Sequence, residues 1–285
     1  MALRASVIAP AESAGPRGRR LLSRVPEITA LFWVVKVLTT GMGEATSDYL
    51  VHRLYAPIAV VLGALGFAVA MWLQLRMRRY VAWAYWFAVV MVAVFGTMVA
   101  DVLHVGLHVP YAVSTPLFAV SLAVVFVLWY RSEGTLSIHS IMSTRREVFY
   151  WLTVMATFAL GTAAGDLTAK TLGLGWLASG VLFAVAIAVP ALGYWRFGLD
   201  SVVAFWAAYI VTRPLGASFA DWLGLPHDLG GIGLGRGTVS LGGTVMIVAL
   251  VGYLARTRID VADRRVTRAT PDAPPPEGSL ALDEG

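Results

Sequence analysis

Residues 32–50 read FWVVKVLTTGMGEATSDYL, apolar enough for a membrane helix yet holding Lys36, Glu44 and Asp48. Three of its residues recur together. Trp33 is followed by Gly43 after ten residues and by Asp48 after fifteen. The same W-x9-G-x4-D spacing gives Trp86, Gly96 and Asp101, then Trp151, Gly161 and Asp166, then Trp206, Gly216 and Asp221. A small residue precedes each Asp: Ser47, Ala100, Gly165 and Ala220. Self-similarity at such a period is the mark of a repeat architecture.

Each unit is two helices long. LFAVSLAVVFVLWYR at 117–131 matches LFAVAIAVPALGYWR at 182–196, at the offset that separates Trp86 from Trp151. The repeats are read as 25–80, 81–146, 147–199 and 200–258. Of the 285 residues 58% are hydrophobic and 14% charged, too apolar for a soluble chain of this size. Uncharged windows of bilayer-spanning length, with the charged segments 27–54 and 200–223, predict eight transmembrane helices. The fold class is therefore all-α: a polytopic membrane protein of four parallel two-helix repeats, related by pseudo-four-fold or paired two-fold symmetry about the membrane normal.

Arginines cluster before the first helix, in the links between helices 2 and 3 and between 4 and 5, and after the eighth, whereas the opposite loops hold only Arg53, Lys170 and Arg236. That asymmetry predicts cytoplasmic termini in a bacterial inner membrane. The net charge of +5 thus reflects topology and implies no nucleic-acid partner. MALRASVIAPAESAGPRGRR lacks the apolar core of a signal peptide. Residues 1–24 and 259–285 are expected to be disordered tails. The absence of cysteine excludes thiolate ligation and cysteine nucleophiles.

FWVVKVLTTGMGEATSD, EGTLSIHSI, REVFYWLTVMATFALGTAAGD and TRPLGASFADWLG resemble a bacterial integral-membrane family. It comprises four tandem repeats of unknown function, each with two helices and a Trp, labelled uncharacterised membrane-anchored proteins. The resemblance covers nearly all of 25–258 and implies the same architecture, but no activity.

On a helical wheel the positions 3, 7, 11 and 15 after Trp fall within about 120° of one another. Trp33, Lys36, Thr40, Glu44 and Asp48 thus share one face. Asp lies about 22 Å along the axis from Trp. The tryptophans are expected as interfacial anchors. The glycines Gly43, Gly96, Gly161 and Gly216 form a small-xxx-small packing stripe with the residues before Asp.

Carboxylates at membrane depth face protein or water. Asp48, Asp101, Asp166 and Asp221, with Glu44, are therefore candidates for a cation-binding or relay site; the alternative is that they are structural. Glu44 has no acidic counterpart: Thr97, Thr162 and Ala217 stand at its position. Lys36 is matched by Val89, Val154 and Tyr209, and Arg213 by Thr40, Ala93 and Phe158. If the ring closes, Arg213 meets Glu44 or Asp48, and Lys36 is a deeper internal counter-ion.

His52, His104 and His108 follow these acids at helical spacing and are candidate metal ligands; His227 lies in a loop. Pro214 and Pro190 are expected to kink their helices. GGIGLGRG at 230–237 lacks the ending of a phosphate loop and is read as an outer, re-entrant connection. Thr144-x-x-Glu147 is read as a capping box. No G-x-S-x-G or H-E-x-x-H motif is present, and no enzyme activity is expected.

The expected function is a transporter or channel for a small cation, a divalent metal or a proton. The alternative is a non-transporting scaffold or sensor. No resident cofactor is expected, a divalent metal being a candidate cargo. The partners are the lipid bilayer and a small cation; a homo-oligomer is compatible with the sequence.

Overall fold

The computed structural model describes residues 23–261. Regular structure among them is helical throughout: α1 (Ala30–Arg53), α2 (Ala56–Arg76), α3 (Ala82–Asp101), α4 (Tyr111–Glu133), α5 (Thr144–Asp166), α6 (Gly175–Ala186), α7 (Ala188–Phe197), α8 (Ser201–Gly224) and α9 (Arg236–Thr257), with short 3-10 and π turns between. α6 and α7 are halves of one span, Gly175–Phe197. The break at Ile187 falls where Pro190 has no N–H to donate and its ring crowds the carbonyl four residues back. Pro214 does not interrupt its helix: α8 runs on through it, the proline ring sitting against Gly161 of α5.

Among the described residues seven spans are long and apolar enough to cross a membrane. The eighth, α1, is as long at 24 residues but holds Lys36, Glu44 and Asp48. The protein is thus an all-α polytopic membrane protein of eight spanning helices in four two-helix repeats.

The first helices of the repeats, α1, α3, α5 and α8, form a closed inner ring in that order, with α8 returning to α1. The second helices lie outside. Each packs chiefly on the first helix of the following repeat: α2 on α3, α4 on α5, α6 on α8, and α9 on α1. Outer helices expose valines and leucines such as Val120, Val185 and Val248, as a lipid-facing layer must.

Lipid provides no hydrophobic drive between helices, so close backbone approach has to hold them. The repeated glycine supplies it. A Cβ on Gly43 would overlap Ala93, one on Gly161 would overlap Arg213, and one on Gly216 would overlap Thr40; on Gly96 it would lie 3.0 Å from the Cβ of Phe158. Every one of these partners stands seven residues after the Trp of the next repeat. The same contact is made four times, the last closing the ring. Gly216→Ala tests it. The added methyl would also sit 2.9 Å from the backbone nitrogen of Gly41, so α1 and α8 must separate. A loss of about 1–3 kcal/mol is expected, read as a lowered Tm in detergent; an unchanged Tm would contradict the close-approach account.

At the end of the ring that carries the tryptophans, the segment before α1 is tied to the links. Tyr80 N donates to the Ser23 carbonyl (2.9 Å), Arg24 N to Ile141 (3.1 Å) and Glu27 N to Asp260 (2.9 Å). The tails expected to be disordered lie outside the described residues, except 23–24 and 259–261; of these Ser23, Arg24 and Asp260 are hydrogen-bonded to the rest of the chain, while Ile259 and Val261 are exposed. Arg24 pairs with Glu147 at 2.6 Å, and Gln74 Nε2 donates to the same carboxylate at 2.8 Å. Glu147 therefore makes no capping box. The cap of α5 is Ser143, whose hydroxyl accepts from Arg146 N, while the fully buried Glu147 takes a charged partner.

Asp260 is buried beside Tyr80, whose hydroxyl donates to it. Burial pushes the Asp260 carboxyl above its ordinary value. A raised folded-state value contributes stability at low pH that is lost as pH climbs through it. Asp260→Asn should therefore remove a decline in Tm that begins above roughly pH 4. Parallel Tm–pH curves for the parent and variant would rule this out.

Candidate functional site

The positions 3, 7, 11 and 15 after each Trp turn one face of each inner helix toward the ring axis, in tiers. The acidic tier opens into a cavity of about 950 Å³. Asp48, Asp101, Asp166 and Asp221 all line it, and so does Glu44. In the second and third repeats the helix widens into a π turn directly after the Asp, at Val102–Gly106 and Leu167–Thr171. Such turns are frequent at functional sites.

The acids are not equivalent. Lys170, one turn after Asp166, holds its carboxylate at 3.0 Å, and Arg236 at the start of α9 holds Asp48 at 2.9 Å. Asp101 and Asp221 have no pairing base among the described residues. Asp221 is 8% exposed, and its carboxylate has no hydrogen-bond partner among the described residues. Paired acids thus lie on α1 and α5, unpaired acids on α3 and α8, each pair diagonal in the ring. A four-fold frame carries two-fold chemistry.

One tier deeper, Arg213 fills the axis. It is fully buried, and Nη2 donates to Glu44 Oε2 at 2.6 Å, to Thr162 Oγ1 at 2.8 Å and to Thr97 Oγ1. Nη1 donates to the Thr40 carbonyl at 3.2 Å. Glu44, Thr97 and Thr162 are the same repeat position in three repeats. The fourth is Ala217, which leaves room where a larger side chain would compete. Gly161 gives space to the arginine stem.

Lys36 lies deeper still and meets no acid among the described residues. Its Nζ is buried without a hydrogen bond, 4.1 Å from the ring centroids of both Phe158 and Tyr209. The counter-ion expectation for Lys36 is therefore corrected. Arg213 lies between Lys36 and the carboxylates, so aromatic faces surround the ammonium instead. The tryptophans also differ from expectation. Trp86, Trp151 and Trp206 are buried in a core with Tyr85, Tyr150 and Phe205, not set at a lipid interface; Trp33 is partly buried against Phe205. The face that points the Asp inward points the Trp inward too.

The histidines do not assemble. His52 Nδ1 is 2.7 Å from the Asp48 carbonyl, and His104 bonds the Val109 carbonyl at 3.0 Å and packs at a tilt against Tyr111. His108 has φ 55°, the left-handed position filled by Gly173 in the next repeat, so its place is set by helix termination. Among the described residues no three His, Asp or Glu side chains are placed to share a metal ion.

GGIGLGRG forms no re-entrant helix. Gly230, Gly233 and Gly235 take φ of 82°, 80° and 84°, which lets Ile232, Gly233 and Leu234 donate back to carbonyls of Trp222, Leu225 and Leu223. The loop thereby caps α8 and delivers Arg236 to Asp48. Lys170, Arg236 and the wall residue Trp176 were absent from the sequence-derived candidates. The two bases had a signal, being two of only three on the poorly basic side. Trp176 lies outside the repeat motif and had none.

Ring, cavity and unequal acids define a class: a four-repeat polytopic membrane protein with an acidic chamber at one end of a closed helical ring. The chain belongs to the family described as Repeat of Unknown Function (DUF347), whose model matches residues 31–80, 84–135, 149–199 and 204–260. No curated protein and no solved structure matches the chain.

Proposed function

We propose that the protein transports a small cation across a bacterial plasma membrane, with the tryptophan end of the ring cytoplasmic and the acidic cavity facing outward. The observation that carries this reading is that the four repeated Asp share one cavity while Asp101 and Asp221 lack a base among the described residues. Carboxylates at such depth are costly unless they serve water, a base or a cation. The basic links at the other end support the orientation.

Arg213 sets the mechanism. A guanidinium held by four oxygen atoms on the axis repels a cation and closes the inner end of the cavity, so the route is gated rather than a standing pore. A cation arriving at Glu44 competes with Arg213 for the same carboxylate, and release of the arginine opens the deeper tiers. The closed axis also favours a second reading, a sensor that binds the cation without passing it.

Proteoliposome flux with reporters for divalent metals, monovalent cations and pH separates the two. Asp101→Asn/Asp221→Asn should lower cation flux at least tenfold. Binding without flux in the parent would favour the sensor. Flux unaffected by the double variant would sink the shared acidic route.

A further inference from the structure

We infer that the cavity takes an organic ammonium ion with an apolar body; this rests on the cation-binding reading above and names its cargo class. Size is the first ground. The cavity holds about 950 Å³, on the scale of about 300–1,000 Å³ for sites that enclose organic molecules. A metal ion needs several ligands converging within about 2.0–2.6 Å of one point, and among the described residues no such group forms.

The wall is the second ground. The acids, with Lys170 and Arg236, line one part of the cavity, while Leu174, Trp176, Leu177, Val181, Leu225 and Leu229 line much of the rest. A hydrated metal ion gains nothing from such a surface, whereas an alkyl or aryl body does. Trp176 is held in place by its Nε1–H, which donates to the Leu229 carbonyl at 3.0 Å.

The third ground is an ammonium already in place. The Nζ of Lys170 is bonded to Asp166 (3.0 Å) and the Tyr111 hydroxyl (3.3 Å), and lies 5.4 and 5.3 Å from the rings of Tyr111 and Trp176. Carboxylate plus aromatic faces is the chemistry that recognises organic ammonium ions. The Lys170 side chain is half exposed, so it can yield that nest to a free cation. Asp221, nine-tenths buried and without a partner among the described residues, provides a second anchor facing the same space.

The probe is benzyltrimethylammonium, titrated against the purified full chain in nanodiscs, with Mn²⁺ and Zn²⁺ alongside. The parent should bind the ammonium. Trp176→Leu should weaken it about fivefold and leave any metal binding unchanged; Trp176→Phe, which keeps a ring, should retain it and guards against a folding defect. Lys170→Met should tighten it by vacating the nest. Asp101→Asn/Asp221→Asn should abolish it. Metal binding that depends on those acids, with no ammonium binding, overturns the cargo class and leaves the cation reading standing. Binding of neither overturns the cargo class, and the cation reading is then decided by the flux assay with monovalent cations and protons. Equal ammonium affinity in Trp176→Leu removes the aromatic wall from the argument and overturns the inference.

Discussion

Arg213→Met is expected to lower stability by about 3–5 kcal/mol. The variant removes the partner of a buried Glu44 and leaves the hydroxyls of Thr97 and Thr162 and the Thr40 carbonyl without their donor. A broken buried pair costs this much because the surviving charge is neither solvated nor balanced. Arg213→Met/Glu44→Gln should recover most of the loss, since no charge then remains in the tier. Thermal unfolding in detergent measures both. If the single variant matches the parent, the axial cluster is not holding the ring. The double variant has a second expected property: with the guanidinium gone, proteoliposomes should leak cations that the parent retains.

Lys36→Met is expected to act in the opposite direction and raise the Tm. Lys36 is 1% exposed, and its ammonium makes no hydrogen bond among the described residues. Contact with two rings returns about 2 kcal/mol, less than the several kcal/mol that desolvating an unpaired charge costs. Met fills a similar volume and keeps the aromatic contact. The expected gain is several degrees, by the same thermal assay. A drop in Tm would mean that the lysine has a stabilising partner after all. Two cations one tier apart thus carry opposite expected signs, because one is satisfied and the other is not. A residue that costs stability and is nonetheless present is a candidate for work in the proposed transport cycle, and flux through Lys36→Met measures that directly.

The repeat spacing made the fold legible, because one motif fixed the helix count, the parallel sense and the inward face at once. Ring closure was legible in part. Glu44 and Arg213 stood out as charges without counterparts in other repeats, and the structure puts them in contact across the seam between first and last repeats. The position of Lys36 was not legible. Sequence gives its height and face, but the tier above it is filled from another helix. The buried tryptophans were misplaced for a related reason: Trp at a helix end reads as an anchor unless the inner ring is known. Arg236 reaches Asp48 only through a glycine loop whose path depends on left-handed turns, and periodicity says nothing about such paths.

The cyclic register has a consequence for how the chain order matters. Each first helix takes its glycine contact and its covering outer helix from a neighbouring repeat, and the fourth repeat treats the first as its successor. Residues 27 and 260 are already joined by a backbone hydrogen bond. The contacts therefore do not record where the polypeptide starts. A circular permutant, opened in the 134–143 link and joined between the segments around 27 and 260, keeps every seam of the ring. Two half-length chains of two repeats each should likewise find one another in a membrane and rebuild the acidic chamber.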